Sequence, residues 1–148
     1  MQHHKDRDIV KILALDYGTK RIGVAISDCL LITAQGQDSI ERTDLSRDLE
    51  VIAKIIKDND ISEIVIGLPL NMNGTHSLKT KEVVEFMGIL TKVTDVPIKT
   101  WDERLTSMQA ERVMLEGDLS RQKRRKLSDK IAAQLILQNY LDFRKKGS

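Results

Sequence analysis

The sequence predicts an α/β fold with a five-stranded mixed sheet, whose first three strands are antiparallel, and helices on both faces. Three extended segments with short connections open the chain, which is typical of an antiparallel meander. Helices then alternate with strands, and such crossovers are right-handed and pair strands in parallel. The chain has 148 residues, of which 41% are hydrophobic. We therefore expect a single domain over residues 1–148.

The five predicted strands differ in their apolar patterns. Ile9–Leu15 alternates apolar and polar residues before it becomes continuously apolar, and Arg21–Ser27 follows after a short turn. Ile32–Ile40 is a weaker candidate for the third strand. The run Ile64–Leu68 contains no polar side chain, which is typical of a strand buried on both faces. Val96–Trp101 supplies the fifth strand.

Apolar residues at helical spacing predict four helices. The first follows Asp44 and ends near Asp58. The third has a capping-box spacing at Thr106 and Gln109, and Gly117 is placed to end it. For the second helix, the residues expected to face inward are Val83, Val84, Met87, Leu90 and Val93.

The fourth predicted helix contains the apolar residues Ala132, Ala133, Leu135, Ile136, Tyr140 and Phe143. Its start is open at this point. The basic segment Arg121–Lys126 is compatible with the first turns of the helix and equally with a loop.

Charge and composition restrict the class of function. Lys and Arg number 24 against 22 Asp and Glu, so the net charge of +2 does not by itself indicate a nucleic-acid partner. The longest apolar runs are far shorter than the roughly 20 residues of a membrane span. We therefore expect a cytoplasmic protein without membrane contact. The single cysteine excludes an internal disulfide, and there is no His and Cys cluster to suggest zinc.

Acidic residues lie at the ends of predicted elements. Asp16 follows the first apolar strand, and Asp102 and Glu103 end the fifth. Because strand side chains alternate between faces, only one of that last pair can face Asp16. Ligands of such sheets bind outside the carboxyl ends of the parallel strands, where these residues are expected. Taken alone, Asp16 has a turn-forming Asp as its competing explanation, and Asp102 and Glu103 have a solvated strand end with a weak ion pair.

Asp129 shares the buried stripe of the last helix. Ala132, Ala133, Ile136 and Tyr140 follow it at intervals of three, four, seven and eleven residues. Helix capping is the simpler explanation of one acid at this place. Three converging carboxylates, however, repel one another unless a cation lies between them. Mg²⁺ prefers carboxylate and water ligands, so the sequence predicts a magnesium site that can hydrolyse a phosphodiester.

A basic segment precedes Asp129. Arg121–Lys126 holds five positive charges in six residues, which suits phosphate binding or an ordinary solvated surface. Aromatic residues make up only 3% of the chain. Extensive base stacking is therefore not expected, although Tyr17 beside Asp16 is placed to stack on a base.

Four motifs in order resemble the YqgF family, also called RuvX, of pre-16S ribosomal RNA nucleases related to Holliday junction resolvases. They are Leu15–Ala25, Gly67–Thr75, Asp102–Thr106 and Asp129–Ala133. The likeness covers nearly the whole chain. Minor departures from the family pattern are Ser107 and Ser128, and neither is a proposed ligand.

The resemblance implies a ribonuclease H-like fold and a role in maturing the 5′ end of small-subunit ribosomal RNA. It also implies that Asp16, Glu103 and Asp129 are catalytic ligands of Mg²⁺ or Mn²⁺, which selects Glu103 over Asp102. Together with the basic segment, it gives these candidate nucleic-acid contacts: Lys20, Arg21, Asn71, Asn73, Arg104, Lys123, Arg124, Arg125 and Lys126. A charged hairpin is the competing explanation for Lys20 and Arg21, and an ordinary turn accounts equally well for Asn71 and Asn73.

Three other functions are open from the sequence. A homodimer could resolve a four-way DNA junction, whereas a monomer or weak homodimer would suit processing of a ribosomal RNA precursor. The chain could also be a non-catalytic RNA-binding factor of ribosome assembly. Asp16, Gly18 and Gly23 also resemble the first phosphate loop of actin-like ATPases. Those proteins enclose ATP between two such domains, for which 148 residues are too few.

Overall fold

The structure is a computed structural model that describes residues 10–105 and 121–146; the side chains of residues 105, 121, 122, 124–126 and 146 are not described. The strands are β1 (Lys11–Tyr17), β2 (Arg21–Ser27), β3 (Ala34–Glu41), β4 (Ile61–Leu68) and β5 (Ile98–Asp102). The helices are α1 (Leu45–Asp58), α2 (Leu78–Leu90) and α3 (Arg121–Lys146), and a 3₁₀ turn covers Glu103–Leu105. The predicted third helix, with Thr106, Gln109 and Gly117, lies outside the described residues.

The sheet has the order β3-β2-β1-β4-β5, so β1 is central. The pairs β1–β2 and β2–β3 are antiparallel, whereas β1–β4 and β4–β5 are parallel. This confirms the predicted mixed sheet. The carboxyl ends of the three parallel strands meet at one edge, which is where Asp16 and Glu103 lie.

One core fills the face covered by α1 and α2. On β1, Leu13 and Leu15 point into it, and Ile52 of α1 and Phe86 of α2 pack against them. The opposite core lies under α3, where Ile12 and Ala14 meet Ile136 and other residues of that helix. Helices therefore cover both faces, as the sequence predicted.

Small residues line the sheet where α3 begins to cross it. A Cβ on Gly23 would stand 2.5 Å from the carbonyl oxygen of Asp129, and one on Gly36 would stand 2.6 Å from Cγ of Lys130. Such distances are below any normal contact, so the missing side chains let the helix backbone approach the sheet. Asp129 is thereby held close to β2.

The helices α1 and α2 each begin with a capping residue. Asp44 accepts a hydrogen bond from the backbone N–H of Arg47, and Ser77 and Thr80 form a capping box. The Thr80 hydroxyl also donates to the carbonyl oxygen of Pro69. This bond ties the start of α2 to the loop that leaves β4.

The inward face of α2 differs from the prediction. Val83 and Leu90 are buried as expected, but Val84 is 45% exposed and Val93 is 48% exposed. Phe86 is buried instead. The prediction for Val93 was wrong because the helix ends at Leu90, and that for Val84 because the buried stripe passes through Phe86.

The observed ends of β1 and α3 can also be compared with the predicted ones. β1 continues through Tyr17 because Asp16 still pairs with Gly23, so Asp16 lies within the strand and not after it. The open question about the basic segment is answered, since Arg121–Lys126 forms the first turns of α3. No helix of the described residues is long and apolar enough to cross a membrane.

Candidate active site

Asp16 and Glu103 meet across β4. Asp16 lies near the end of β1, and Glu103 begins the 3₁₀ turn after β5. The strand between them has Gly67 at the crossing point. A Cβ on Gly67 would stand 2.8 Å from Cγ and 2.9 Å from Cδ of Glu103. The glycine therefore leaves the space through which Glu103 reaches Asp16, and the two side chains hydrogen-bond.

This carboxyl pair shares a proton. Burial raises the pKa of Asp16, and the nearby charge of Asp129 raises it further, while the hydrogen bond from Glu103 lowers it. Burial, the charge of Asp16 and the bond to Asp16 raise the pKa of Glu103 from 4.5 to about 8. The hydrogen bond raises the pKa of Glu103 and lowers that of Asp16, so Glu103 is the donor and Asp16 the acceptor. A low-dielectric site cannot hold both negative charges without a compensating cation.

Asp129 lies beside this pair and is bonded to Arg21. The Nε atom of Arg21 donates to Oδ2 of Asp129 at 2.5 Å. The two side chains are 19% and 23% exposed. Asp129 is close enough to Asp16 for its charge to raise the pKa of Asp16. Over the described ranges, 10–105 and 121–146, no three His, Cys, Asp or Glu side chains are grouped in a metal-binding arrangement.

Asp102 belongs to a different set of contacts. It accepts hydrogen bonds from Nε and Nη2 of Arg104 at 2.9 and 2.6 Å. These bonds hold the pKa of Asp102 below its usual value. Arg104 also donates from Nη1 to the carbonyl oxygen of Met72 at 2.8 Å. Arg104 therefore fastens the loop after β4 to the end of β5.

Asn71 and Asn73 stabilise that loop internally. Nδ2 of Asn71 donates to the hydroxyl of Thr75 at 2.9 Å, and that hydroxyl donates to Oδ1 of Asn73 at 2.6 Å. Gly74 takes the left-handed conformation with φ of 86°. The loop is exposed, and Met72 at its tip is 86% exposed. These two asparagines hold a turn together and leave its outer surface open.

The remaining predicted contacts are distributed around the same edge and on α3. Lys20 is exposed in the turn before β2, and Lys123 is exposed on α3. The side chains of Arg124, Arg125 and Lys126 lie outside the described part of the chain.

Tyr17 is not free to stack on a base. Its ring stacks on Phe86 with centroids 4.3 Å apart, and the guanidinium of Arg42 lies 4.6 Å from the centroid of the Tyr17 ring. Two groups this close must occupy opposite faces of the ring. The suggestion that Tyr17 stacks on a base was therefore wrong.

Sequence reasoning missed Lys79 and Gly67. The charge of Lys79, in the first turn of α2, lowers the pKa of both Asp16 and Glu103. Lys79 follows the Ser77 cap, in the first turn of the helix after the loop that leaves β4. That position is a signal that could have found it. Nothing in the sequence pattern itself indicated that a side chain passes over Gly67.

Two solved structures that resemble this fold are complexes with Holliday junctions. Thermus thermophilus RuvC in complex with a Holliday junction substrate gives a TM-score of 0.59 at 13% identity, covering 94% of this chain and 98% of that one. Fowlpox virus resolvase in complex with Holliday junction DNA gives 0.52 at 17% identity, covering 90% and 98%. At these identities the likeness shows the fold, and it confirms the ribonuclease H-like class.

Sequence relatives cover nearly the whole chain. Proteins named "Putative pre-16S rRNA nuclease" are 47% identical in Halothermothrix orenii, over 93% of this chain and 98% of that protein, and 51% identical in Clostridium kluyveri, over 90% and 97%. In Carboxydothermus hydrogenoformans the identity is 49%, over 93% of this chain and 100% of that protein. The family model described as "RuvX: Holliday junction resolvase" matches residues 10–143. The resemblance seen in the four motifs is confirmed, and the chain belongs to the RuvX family of nucleases.

Proposed function

We propose that this protein is a divalent-metal-dependent nuclease that hydrolyses phosphodiester bonds in maturing the 5′ end of pre-16S ribosomal RNA. The observation that carries the proposal is the buried pair Asp16–Glu103 at the carboxyl edge of the sheet, with Asp129 beside it. The relatives named for pre-16S rRNA support the choice of substrate.

The donor set of this site suits Mg²⁺ or Mn²⁺. Asp16, Glu103 and Asp129 offer only carboxylate oxygens, and the space kept open by Gly67 places the Glu103 carboxyl next to Asp16. A bound divalent cation would activate the attacking water and stabilise the leaving oxygen. Glu103 must release its proton for both carboxylates to act as ligands. Lys79 favours that release, because its charge lowers the pKa of Glu103.

Basic side chains around this edge are proposed to hold the phosphate backbone. Lys20 in the turn before β2, Arg21 on β2 and Lys123 on α3 supply the charge. The loop with Asn71 and Asn73 offers an open surface beside the site. Arg104 fastens that loop. We assign Arg124, Arg125 and Lys126 to the same role from the sequence alone. Contacts of this kind give affinity and position with little base specificity.

The proposal includes the setting of the protein. Residues 1–148 would form one nuclease domain that works as a monomer or weak homodimer. It would work in the cytoplasm, where its ribosomal RNA precursor is made.

A cleavage assay with two substrates tests this function. Wild-type protein is incubated with Mg²⁺ and either a 5′-extended pre-16S RNA or a four-way DNA junction, and the ends of the products are mapped. We expect cleavage of the RNA, loss of cleavage in Asp16→Asn, and full activity in the control Asp95→Asn, which removes an exposed carboxylate before β5. Cleavage of the junction alone would contradict the substrate assignment. If neither substrate is cleaved, the proposal that the protein is a nuclease is contradicted.

A further inference from the structure

Arg21 and Asp129 form a specific contact between β2 and α3. The Nε–Oδ2 distance is 2.5 Å, and less than a quarter of each side chain is exposed. A charge-assisted hydrogen bond between partly buried groups is screened less than a surface ion pair. The charge of Arg21 is therefore committed to Asp129 and not to solvent.

This contact competes with cation binding. Asp129 lies near Asp16, yet the described residues contain no three acidic side chains grouped as ligands, and an oxygen of Asp129 accepts from Arg21. If Asp129 joins Asp16 and Glu103 around a cation, the guanidinium on its Oδ2 atom and the cation compete for the charge of one carboxylate. The exchange replaces one positive partner of Asp129 with another.

The surrounding structure restricts this exchange to side chains. The backbone of Asp129 already lies close to β2, because its carbonyl oxygen is 2.5 Å from the position that a Cβ on Gly23 would take. Arg21 starts β2 opposite Glu41 of β3, whose charge also acts on the Arg21 guanidinium. A displaced guanidinium therefore has a second acidic neighbour and stays at the rim of the site, next to Lys20.

We propose that Arg21 is a positioning residue that competes with the divalent cation for Asp129 and turns to the substrate phosphate when the cation displaces it. The inference rests on the proposed function and deepens it. Cation binding then frees a positive charge for nucleic acid, so the two ligands strengthen each other's binding. By linkage, bound nucleic acid must raise the affinity for the cation by the same factor.

Titration calorimetry with Mn²⁺, without nucleic acid, tests the competition. Arg21→Gln is expected to bind Mn²⁺ roughly fivefold more tightly than wild type, as removal of one partly exposed ion pair allows. The control is Arg47→Gln, which removes the same charge from an exposed position of α1. It should bind Mn²⁺ like wild type.

A double-mutant cycle separates the specific contact from general charge repulsion. In an Asp129→Asn background, Arg21→Gln should no longer change the Mn²⁺ affinity, because the competing carboxylate is gone. If the gain persists there, or if Arg21→Gln binds Mn²⁺ no more tightly than wild type, the inference is overturned.

The second half of the inference has its own readout. Binding of a short fluorescent single-stranded RNA is measured in EDTA and in Ca²⁺, and Ca²⁺ should strengthen binding less in Arg21→Gln than in wild type. An equal gain in both proteins would overturn the coupling. If wild type binds Mn²⁺ and cleaves RNA, but Arg21→Gln shows neither the tighter Mn²⁺ binding nor the smaller gain with Ca²⁺, only this inference fails. Absence of Mn²⁺ binding by wild type would overturn both the inference and the proposed function.

Discussion

Replacing Glu103 with Gln should stabilise the protein at neutral pH in EDTA. Burial and the neighbouring charge of Asp16 raise the pKa of Glu103 from 4.5 to about 8. Below pH 4.5 the carboxyl is protonated in both the folded and the unfolded chain, so it adds no penalty. As the pH rises from 4.5 to 8, unfolding releases a proton that the folded state retains. The free energy of unfolding therefore falls with rising pH over this window.

The size of this penalty follows from the same values. At pH 7 the medium lies about 2.5 pH units above the pKa of the unfolded carboxyl, and each unit corresponds to ~1.4 kcal/mol. The wild-type protein should thus lose ~3 kcal/mol between pH 4.5 and pH 7 through this group. Gln has no charge to bury, and it keeps a donor for the Asp16 carboxylate. The variant should escape most of this loss.

Urea unfolding in EDTA at pH 4.5, 6, 7 and 8 measures the effect. Trp101 is the only tryptophan and packs against Tyr140 and Phe143 of α3, so its fluorescence reports the docking of that helix on the sheet. The gain of Glu103→Gln should be absent at pH 4.5 and largest near pH 8, whereas Glu50→Gln, at an exposed position of α1, should lack this trend. Saturating Mg²⁺ should stabilise wild type only. A gain that does not depend on pH, or no gain at pH 7, would refute the reasoning.

Two further predictions concern packing and charge. Gly67→Ala places a Cβ 2.6 Å from Cδ1 of Ile136 and 2.8 Å from Cγ of Glu103, so it should cost ~1–3 kcal/mol in thermal unfolding and lower the cleavage rate. Gly88→Ala, whose Cβ meets nothing within 4 Å in α2, should instead raise the free energy of unfolding by up to ~1 kcal/mol and keep activity. Equal effects of the two alanines would contradict the role of Gly67 in leaving space for Glu103. Neutralising the four basic residues of Lys123–Lys126 should weaken RNA binding for all sequences and flatten its dependence on salt. An unchanged salt slope, measured by fluorescence anisotropy, would mean that they do not contact phosphate.

The fold could be predicted because its periodic patterns have direct physical causes. The continuously apolar Ile64–Leu68 predicted a strand buried on both faces, and it became the neighbour of the central strand. The change from short connections to helical spacing after Asp44 predicted where antiparallel pairing gives way to crossovers. The inward face of α2 could not be predicted, because its apolar residues occur on more than one side. Whether Val84 or Phe86 is buried depends on packing against the sheet.

The site was predictable in its acidic residues but not in their contacts. Asp16 and Glu103 were expected at one edge of the sheet because they end strands, and the structure has them hydrogen-bonded. Alternation along the strand left Asp102 and Glu103 equivalent, and only the resemblance chose between them. The bond of Arg21 to Asp129 joins residues 108 positions apart. No local pattern reports such a pairing, and the role of all three acids in metal binding stays a prediction.

Single-turnover cleavage started by Mg²⁺ tests the central claim most directly. Labelled 5′-extended pre-16S RNA is bound to protein in EDTA, excess Mg²⁺ is added, and product is followed over time. Wild type should cleave at a rate that saturates with Mg²⁺. Asp16→Asn keeps the shape of the site without its charge, so it should still bind the RNA. Its cleavage rate should fall by a factor on the order of 100 at least. Wild-type cleavage that continues in EDTA, or an Asp16→Asn protein that cleaves at the wild-type rate, would contradict a carboxylate-held cation as the source of catalysis.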